Sequence, residues 1–139
     1  MLRNISDVMT SPPITVEPSA SLREAAEIMR GSDVGDVIVT EGDTLVGVLT
    51  DRDIVLRCVA EGIDPDTATA RSVCSSNVAT VPAQSSLRDA VDVMRSDALR
   101  RLPVVEGERV VGVVTMGDLA MAVDSDSALA DVSAAPPNH

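Results

Sequence analysis

Two short runs hold most of the chemistry this chain can offer. Thr50-Asp51-Arg52-Asp53 and Thr115-Met116-Gly117-Asp118 each set a hydroxyl three residues ahead of a carboxylate. Each follows an apolar run, Gly47-Val48-Leu49 or Gly112-Val113-Val114. An apolar β-branched run that gives way to Thr-x-x-Asp reads as a strand ending where a helix begins. Free backbone N–H groups and the positive helix end favour an anion there. A carboxylate in that place can accept hydrogen bonds from the two cis hydroxyls of a ribose, as acidic residues do in dinucleotide folds. The same pattern also makes a helix cap with an acidic first turn, which needs no ligand. The residues alone leave both roles open.

The two runs are copies. A shift of 65 positions carries the first onto the second and holds without a gap through Leu22-Arg23/Leu87-Arg88, Met29-Arg30/Met94-Arg95 and Glu41-Gly42/Glu106-Gly107. From Val8 to Ile54, 18 of 47 aligned positions are identical, far above chance, so the chain is an internal duplication. Duplication reproduces a cap as faithfully as a site, so recurrence does not choose between them.

Each copy predicts the same elements. Ser6-Asp7-Val8-Met9 reads as a helical turn capped by Ser6, and Pro12-Pro13 forces extended chain into a short strand at Ile14-Thr15-Val16. Ser21-Leu22-Arg23-Glu24 is a capping box opening a helix whose stripe is Leu22, Ala25, Ala26 and Met29, with Gly31 ending it. Val37-Ile38-Val39 and Leu45 to Leu49 form a hairpin across Glu41-Gly42-Asp43. A second helix follows from Asp51 to about Ala60, closed by Gly62. The second copy repeats the order with Arg71 to Cys74, Ala79-Thr80-Val81, Ser86 to Met94, and the hairpin Leu102 to Val105 with Arg109 to Val114. The expected organisation is α/β: two pseudo-symmetric β-α-β-β-α repeats with two quasi-equivalent sheets, packed face to face around one shared core. Repeat 1 spans 6–62, a connector 63–70 and repeat 2 71–123, with a frayed tail at 124–139.

Composition narrows the function. The net charge of −11 and the absence of Phe, Tyr and Trp argue against a nucleic-acid surface, which needs cations and stacking platforms. All eleven basic residues are Arg. No apolar run approaches the ~20 residues of a membrane span, and the N-terminus shows no signal-peptide core, so a soluble cytoplasmic protein is expected. Cys58 and Cys74 have no metal-ligand spacing and the one histidine is His139, so no metal site is expected. They read as free thiols, with a bridge between them as the alternative. A catalytic set is also missing: there is no Ser-His-Asp arrangement and no phosphate-cradling glycine loop. No catalytic residue and no required cofactor are assigned.

The order of short strand, helix, hairpin, Gly-h-h-Thr-x-x-Asp and helix, repeated once from about Ser6 to Val123, resembles a tandem CBS-domain pair, or Bateman module. Asp51-Arg52-Asp53-Ile54-Val55 followed by Gly62-Ile63-Asp64-Pro65 is most similar to stand-alone bacterial two-CBS proteins of the hypoxic or dormancy-response type. The resemblance implies a regulatory module for an adenosine-containing ligand such as AMP, ATP or S-adenosylmethionine. Asp53 and Asp118 would then take the ribose, with Thr50 and Thr115 near ribose or α-phosphate. Adenine slots would lie against Ile14, Thr15, Val37 and Ile38, and against Ala79, Thr80, Leu102 and Pro103. A homodimer and a further, unidentified protein partner are implied as well. The competing expectation is a ligand-free interaction protein, a stress-response dimer built on the outward faces Ile54, Val55, Val59 and Leu119, Ala120, Val123.

Divergence between the copies favours the second site. Asp36 and Asp51 surround the first junction, offset mainly by Arg52, whereas Arg100 and Arg101 stand at the positions of Gly35 and Asp36. Arginine suits phosphate through its fork of donors. A phosphorylated adenosine is therefore expected to prefer Thr115, Asp118 and Arg101.

Overall fold

The computed structural model describes residues 3–122, so the expected tail at 124–139 lies outside the described residues. Each copy opens with a short helical turn. The first, Ile5–Asp7, is led by Asn4 rather than Ser6: the Asn4 N–H donates to the Asp7 carboxylate at 3.0 Å, and the Ser6 hydroxyl donates to the Asn4 side chain. Strand β1 (Thr15–Val16) and helix α1 (Leu22–Ser32) follow, with the Ser21 hydroxyl accepting the Glu24 N–H at 3.0 Å. Strands β2 (Asp36–Glu41) and β3 (Thr44–Thr50) form a hairpin closed by Gly42 at φ 62°. Helix α2 (Asp51–Ile54) continues into a π-helical turn over Val55–Val59. The second copy supplies α3 (Ala70–Val73), β4 (Val81–Pro82), α4 (Leu87–Asp97), β5 (Arg101–Glu106), β6 (Arg109–Thr115) and α5 (116–122).

Gly31 does not end α1. The helix runs on to Ser32, and Asp33 takes the left-handed conformation at φ 54°. The Asp33 N–H then reaches the Arg30 carbonyl at 3.3 Å and the Val34 N–H reaches that of Met29 at 3.0 Å. This is a Schellman closure, and its position is set by the apolar residue that must fold back onto the core. Val34 packs against the first core, and Leu99 does the same in the second copy after Ala98 at φ 54°.

The two expected sheets are joined into one, with strand order β1-β2-β3-β6-β5-β4. Within each half the short strand runs parallel to the first hairpin strand, and the hairpin is antiparallel. The halves meet at a single pair, Thr44 and Arg109, which are equivalent under the 65-residue shift. The pseudo-twofold axis therefore passes between β3 and β6.

The expected single shared core is replaced by two clusters. Leu22, Met29, Val37, Val39 and Leu49 belong to one; Met94, Leu102, Val104, Val114 and Leu119 belong to the other. What joins them is an exchange of leader segments. Ile5 is fully buried in the second copy's cluster, and Ala70 and Val73 are buried in the first copy's. The Ile5 and Ser6 N–H groups donate to the Ser85 and Ala83 carbonyls at 2.9 Å each; those of Ala70 and Arg71 donate to Ala20 and Pro18 at 2.8 and 3.0 Å. A copy of about 55 residues has little apolar surface to bury by itself, so each half borrows the other's leader to close its core.

The leaders then cross the hairpins. Ser75 exchanges both backbone hydrogen bonds with Val48 at 3.0 Å, and Thr10 exchanges its own with Val113 at 2.8 and 3.0 Å. The crossing explains Gly47 and Gly112. A Cβ on Gly47 would lie 2.5 Å from the Ser75 carbonyl oxygen, and one on Gly112 would lie 2.8 Å from that of Thr10. Gly47→Ala and Gly112→Ala should each lower the free energy of unfolding in urea by about 1–3 kcal/mol. Gly31→Ala, in open space within α1, should raise it by about 0.5–1 kcal/mol. Equal effects at all three positions would show that close approach is not what Gly47 and Gly112 serve.

Candidate ligand site between the repeats

Both Thr-x-x-Asp runs are complete capping boxes. The Thr50 N–H donates to Asp53 Oδ2 and the Asp53 N–H donates to Thr50 Oγ1, each at 3.0 Å; Thr115 and Asp118 repeat the geometry at the same distances. The cap leaves chemistry unspent. The second carboxylate oxygen, Oδ1, can still accept, and the threonine hydroxyl keeps its proton to donate. Each box thus offers one acceptor and one donor in fixed positions at a helix start. The first helical residue is held as well: the Asp51 N–H donates to the Gly35 carbonyl at 2.9 Å and the Met116 N–H to that of Arg100 at 2.8 Å.

The structure groups the expected site residues across the repeats rather than within them. Thr50 and Asp53 of the first copy face Ala79, Leu102 and Pro103 of the second, in a cavity of about 680 Å³. Thr115 and Asp118 face Ile14, Val37 and Ile38 in a smaller one of about 220 Å³. The crossed leaders cause this, because each carries the residues before its own short strand over to the other copy's hairpin. Of the remaining expected residues, Thr15 is exposed on β1, Thr80 is half-buried before β4, and Arg100 is exposed. None of these three lines either cavity. Ile38 also borders the larger cavity.

Volume separates the two sites. Small-molecule pockets span roughly 300–1,000 Å³; the larger cavity falls inside this range and the smaller below it. The equivalent residues Ile14 and Ala79 account for part of the difference, since the isoleucine fills space that the alanine leaves open. Arg101 was expected to act with Asp118, yet it lines both cavities, and so does Asp36. Their side chains form an ion pair, Arg101 Nη1 to Asp36 Oδ1, at 3.4 Å. Burial pushes the Asp36 carboxyl above its ordinary pKa, the Arg101 guanidinium pulls it back, and Asp51 pushes it up again. Asp51 itself packs its carboxylate against Gly35 and lines neither cavity.

Sequence reasoning missed Ser75, Asn77, Val78, Asp97 and Leu99 in the larger cavity, and Thr10, Pro12, Pro13 and Val34 in the smaller. The signal for many of them was the 65-residue shift, under which Thr10 and Ser75, Pro12 and Asn77, and Pro13 and Val78 are equivalent. Cys58 and Cys74 are free thiols. Cys58 is buried with its Sγ 3.1 Å from the Ile63 carbonyl, and burial pushes the Cys74 thiol up. Among the described residues no cluster of His, Cys, Asp and Glu could hold a metal ion, and no helix is long and apolar enough to cross a membrane.

A duplicated β-α-β-β-α unit whose leaders are exchanged, with a ligand-sized cleft between the copies, defines a pseudo-symmetric repeat-pair module. The chain belongs to the CBS-domain family, whose model matches residues 5–59 and 70–125. It is 39% identical over 115 residues to hypoxic response protein 1 of Mycobacterium tuberculosis, covering 82% of this chain and 80% of that one. The crystal structure of Hypoxic Response Protein I with two coordinated zinc ions superimposes with a TM-score of 0.80 at 37% identity, covering 86% of this chain and 98% of that one. The CBS domain pair of MJ0100, in complex with 5′-methylthioadenosine and S-adenosyl-L-methionine, gives a TM-score of 0.77 at 26% identity, covering 91% and 99%.

The capping role alone has a measurable consequence. Thr50→Ala and Thr115→Ala should each cost about 0.5–2 kcal/mol of stability without any ligand present, and Thr→Ser at either position should restore most of it. Thermal or urea unfolding of the four variants measures both effects.

Proposed function

We propose that this CBS pair is a regulatory module that binds an adenosine-containing ligand in the larger cleft, bridging its two repeats. The observation that carries the reading is the meeting of Thr50 and Asp53 from one copy with the slot of Ala79, Leu102 and Pro103 from the other. The apolar slot suits a flat base, and the unspent Asp53 oxygen suits ribose hydroxyls. The Thr50 hydroxyl and Arg101 would lie toward whatever extends from the 5′ carbon. The complex of the MJ0100 CBS pair with two adenosine derivatives supports the same ligand class.

Charge narrows the class further. Asp36, Asp53 and Asp97 line the larger cleft against Arg101, so a triphosphate would bring its charge into an already acidic site. A ligand with at most one anionic group, such as AMP or S-adenosylmethionine, fits better than ATP. Occupancy would be read through the outer faces of the π-helical turn after α2 and of α5, where Val55, Val59 and Met121 are 54%, 65% and 75% exposed. These faces suit a homodimer or another protein partner.

Calorimetry with AMP, S-adenosylmethionine and ATP tests the reading, because intrinsic fluorescence is silent without Trp or Tyr. Asp53→Asn keeps an acceptor for the cap and should weaken binding about 10- to 100-fold, as removal of a charge-assisted hydrogen bond does. Ala79→Ile, which copies the equivalent Ile14 into the larger cleft, should abolish binding while leaving the fold intact. Asp118→Asn should leave affinity nearly unchanged. Failure of every adenosine ligand to bind would return the protein to the ligand-free interaction reading.

A further inference from the structure

Residues 36 and 101 are equivalent under the duplication, yet one is Asp and the other Arg. The pseudo-twofold brings them together: Arg101 Nη1 lies 3.4 Å from Asp36 Oδ1, with the side chains 41% and 25% exposed. Identical acids at both positions would repel across the axis; the divergence turns that repulsion into an ion pair. Both residues line both cavities, so the pair is the wall between the two clefts. Among the described residues, Arg101 is the only cationic side chain lining either cavity, against Asp53 and Asp97 in the larger and Asp118 in the smaller. An anionic group entering either cleft finds no other cationic side chain in its lining, and Asp36 already holds Arg101.

We propose that Asp36 is an internal competitor for Arg101, and that this shared pair decides which ligand charge the module accepts. This inference rests on the adenosine reading of the larger cleft. A half-exposed ion pair is weak, since solvent screens it and its side chains lose freedom in forming it. A ligand phosphate or carboxylate can thus draw the guanidinium away. Asp36, which lines both clefts, is then left as an uncompensated, partly buried carboxylate, and that cost lowers the net affinity for the anion. A neutral adenosine ligand uses neither partner and is indifferent to the switch.

The test compares adenosine with AMP by calorimetry on the full chain, in the wild type, Asp36→Asn and Arg101→Gln. Both side chains are partly exposed, and unfolding curves recorded beside each titration confirm that the variants fold. Arg101→Gln should weaken AMP about 10- to 100-fold, the effect of removing one charge-assisted hydrogen bond. Asp36→Asn should tighten AMP about two- to fivefold, the most that competition from a half-exposed ion pair can hold back, because the guanidinium is then free to meet the phosphate. Adenosine affinity should move by less than about twofold in either variant, since a neutral ligand draws on no charge-assisted bond here. An AMP-to-adenosine affinity ratio unmoved by both variants would overturn the proposal while leaving the adenosine reading intact. If neither compound binds the wild type, it is the adenosine reading that fails, and the inference with it.

Discussion

The exchange of leader segments is the constraint on which the rest of this structure depends. Each copy sends its first turn into the other's core and lays the following residues across the other's hairpin, with Ser75 on Val48 and Thr10 on Val113. Apolar burial drives the exchange, since each core lacks a lid without Ile5 or Val73 from the other copy. Backbone pairing fixes its register, and the glycines at 47 and 112 permit the approach. One crossing event therefore closes two cores and builds two clefts.

The sheet itself binds the halves weakly. β3 and β6 meet at only Thr44 and Arg109, flanked by a Leu45 N–H to Glu108 carbonyl contact at 3.4 Å and a Val110 N–H to Asp43 carbonyl contact at 2.9 Å. The relative setting of the copies therefore rests largely on the leaders, with the Asp36–Arg101 pair as a further contact between them. An occupant that touches one copy through Thr50 and Asp53 and the other through Leu102 and Pro103 acts on that setting directly. On the proposed reading, ligand binding and inter-repeat geometry would be one equilibrium, which a ligand shifts only by its differential affinity for two settings of the repeats.

The repeat, the helices and the hairpins were legible in the sequence because each rests on local rules: apolar periodicity, Ser and Thr caps, and a glycine in each turn. The ends of α1 and α4 were less so. Gly31 looked like a terminator, but the place of closure is set by where Val34 and Leu99 must bury, a tertiary demand. The two cores and the joined sheet were not legible for the same reason. The candidate residues were largely visible while their partners were not, because Asp53 and Ala79 belong to different copies and only the crossed leaders bring them together. Arg101 stood out by its divergence from Asp36, but sequence alone could not show that the two side chains would meet. A difference between equivalent positions reads as two separate environments until the axis is known to pass between them.

Capping a helix and building a site are alternatives for Thr-x-x-Asp in the sequence, and the geometry shows that they need not compete. The cap consumes one oxygen of Asp53 and one lone pair of Thr50, and in doing so locks both side chains before any ligand arrives. A carboxylate already fixed by a backbone N–H loses less freedom on meeting a ribose, and preorganisation of that kind raises affinity by lowering the cost of ordering. The same lock exists at Asp118, where the cavity is small and Ile14 stands in the place of Ala79. Capping is thus a shared foundation, inherited equally by both copies. What separates the larger cleft from the smaller is the wall contributed by the opposite repeat, Ala79 in one and Ile14 in the other.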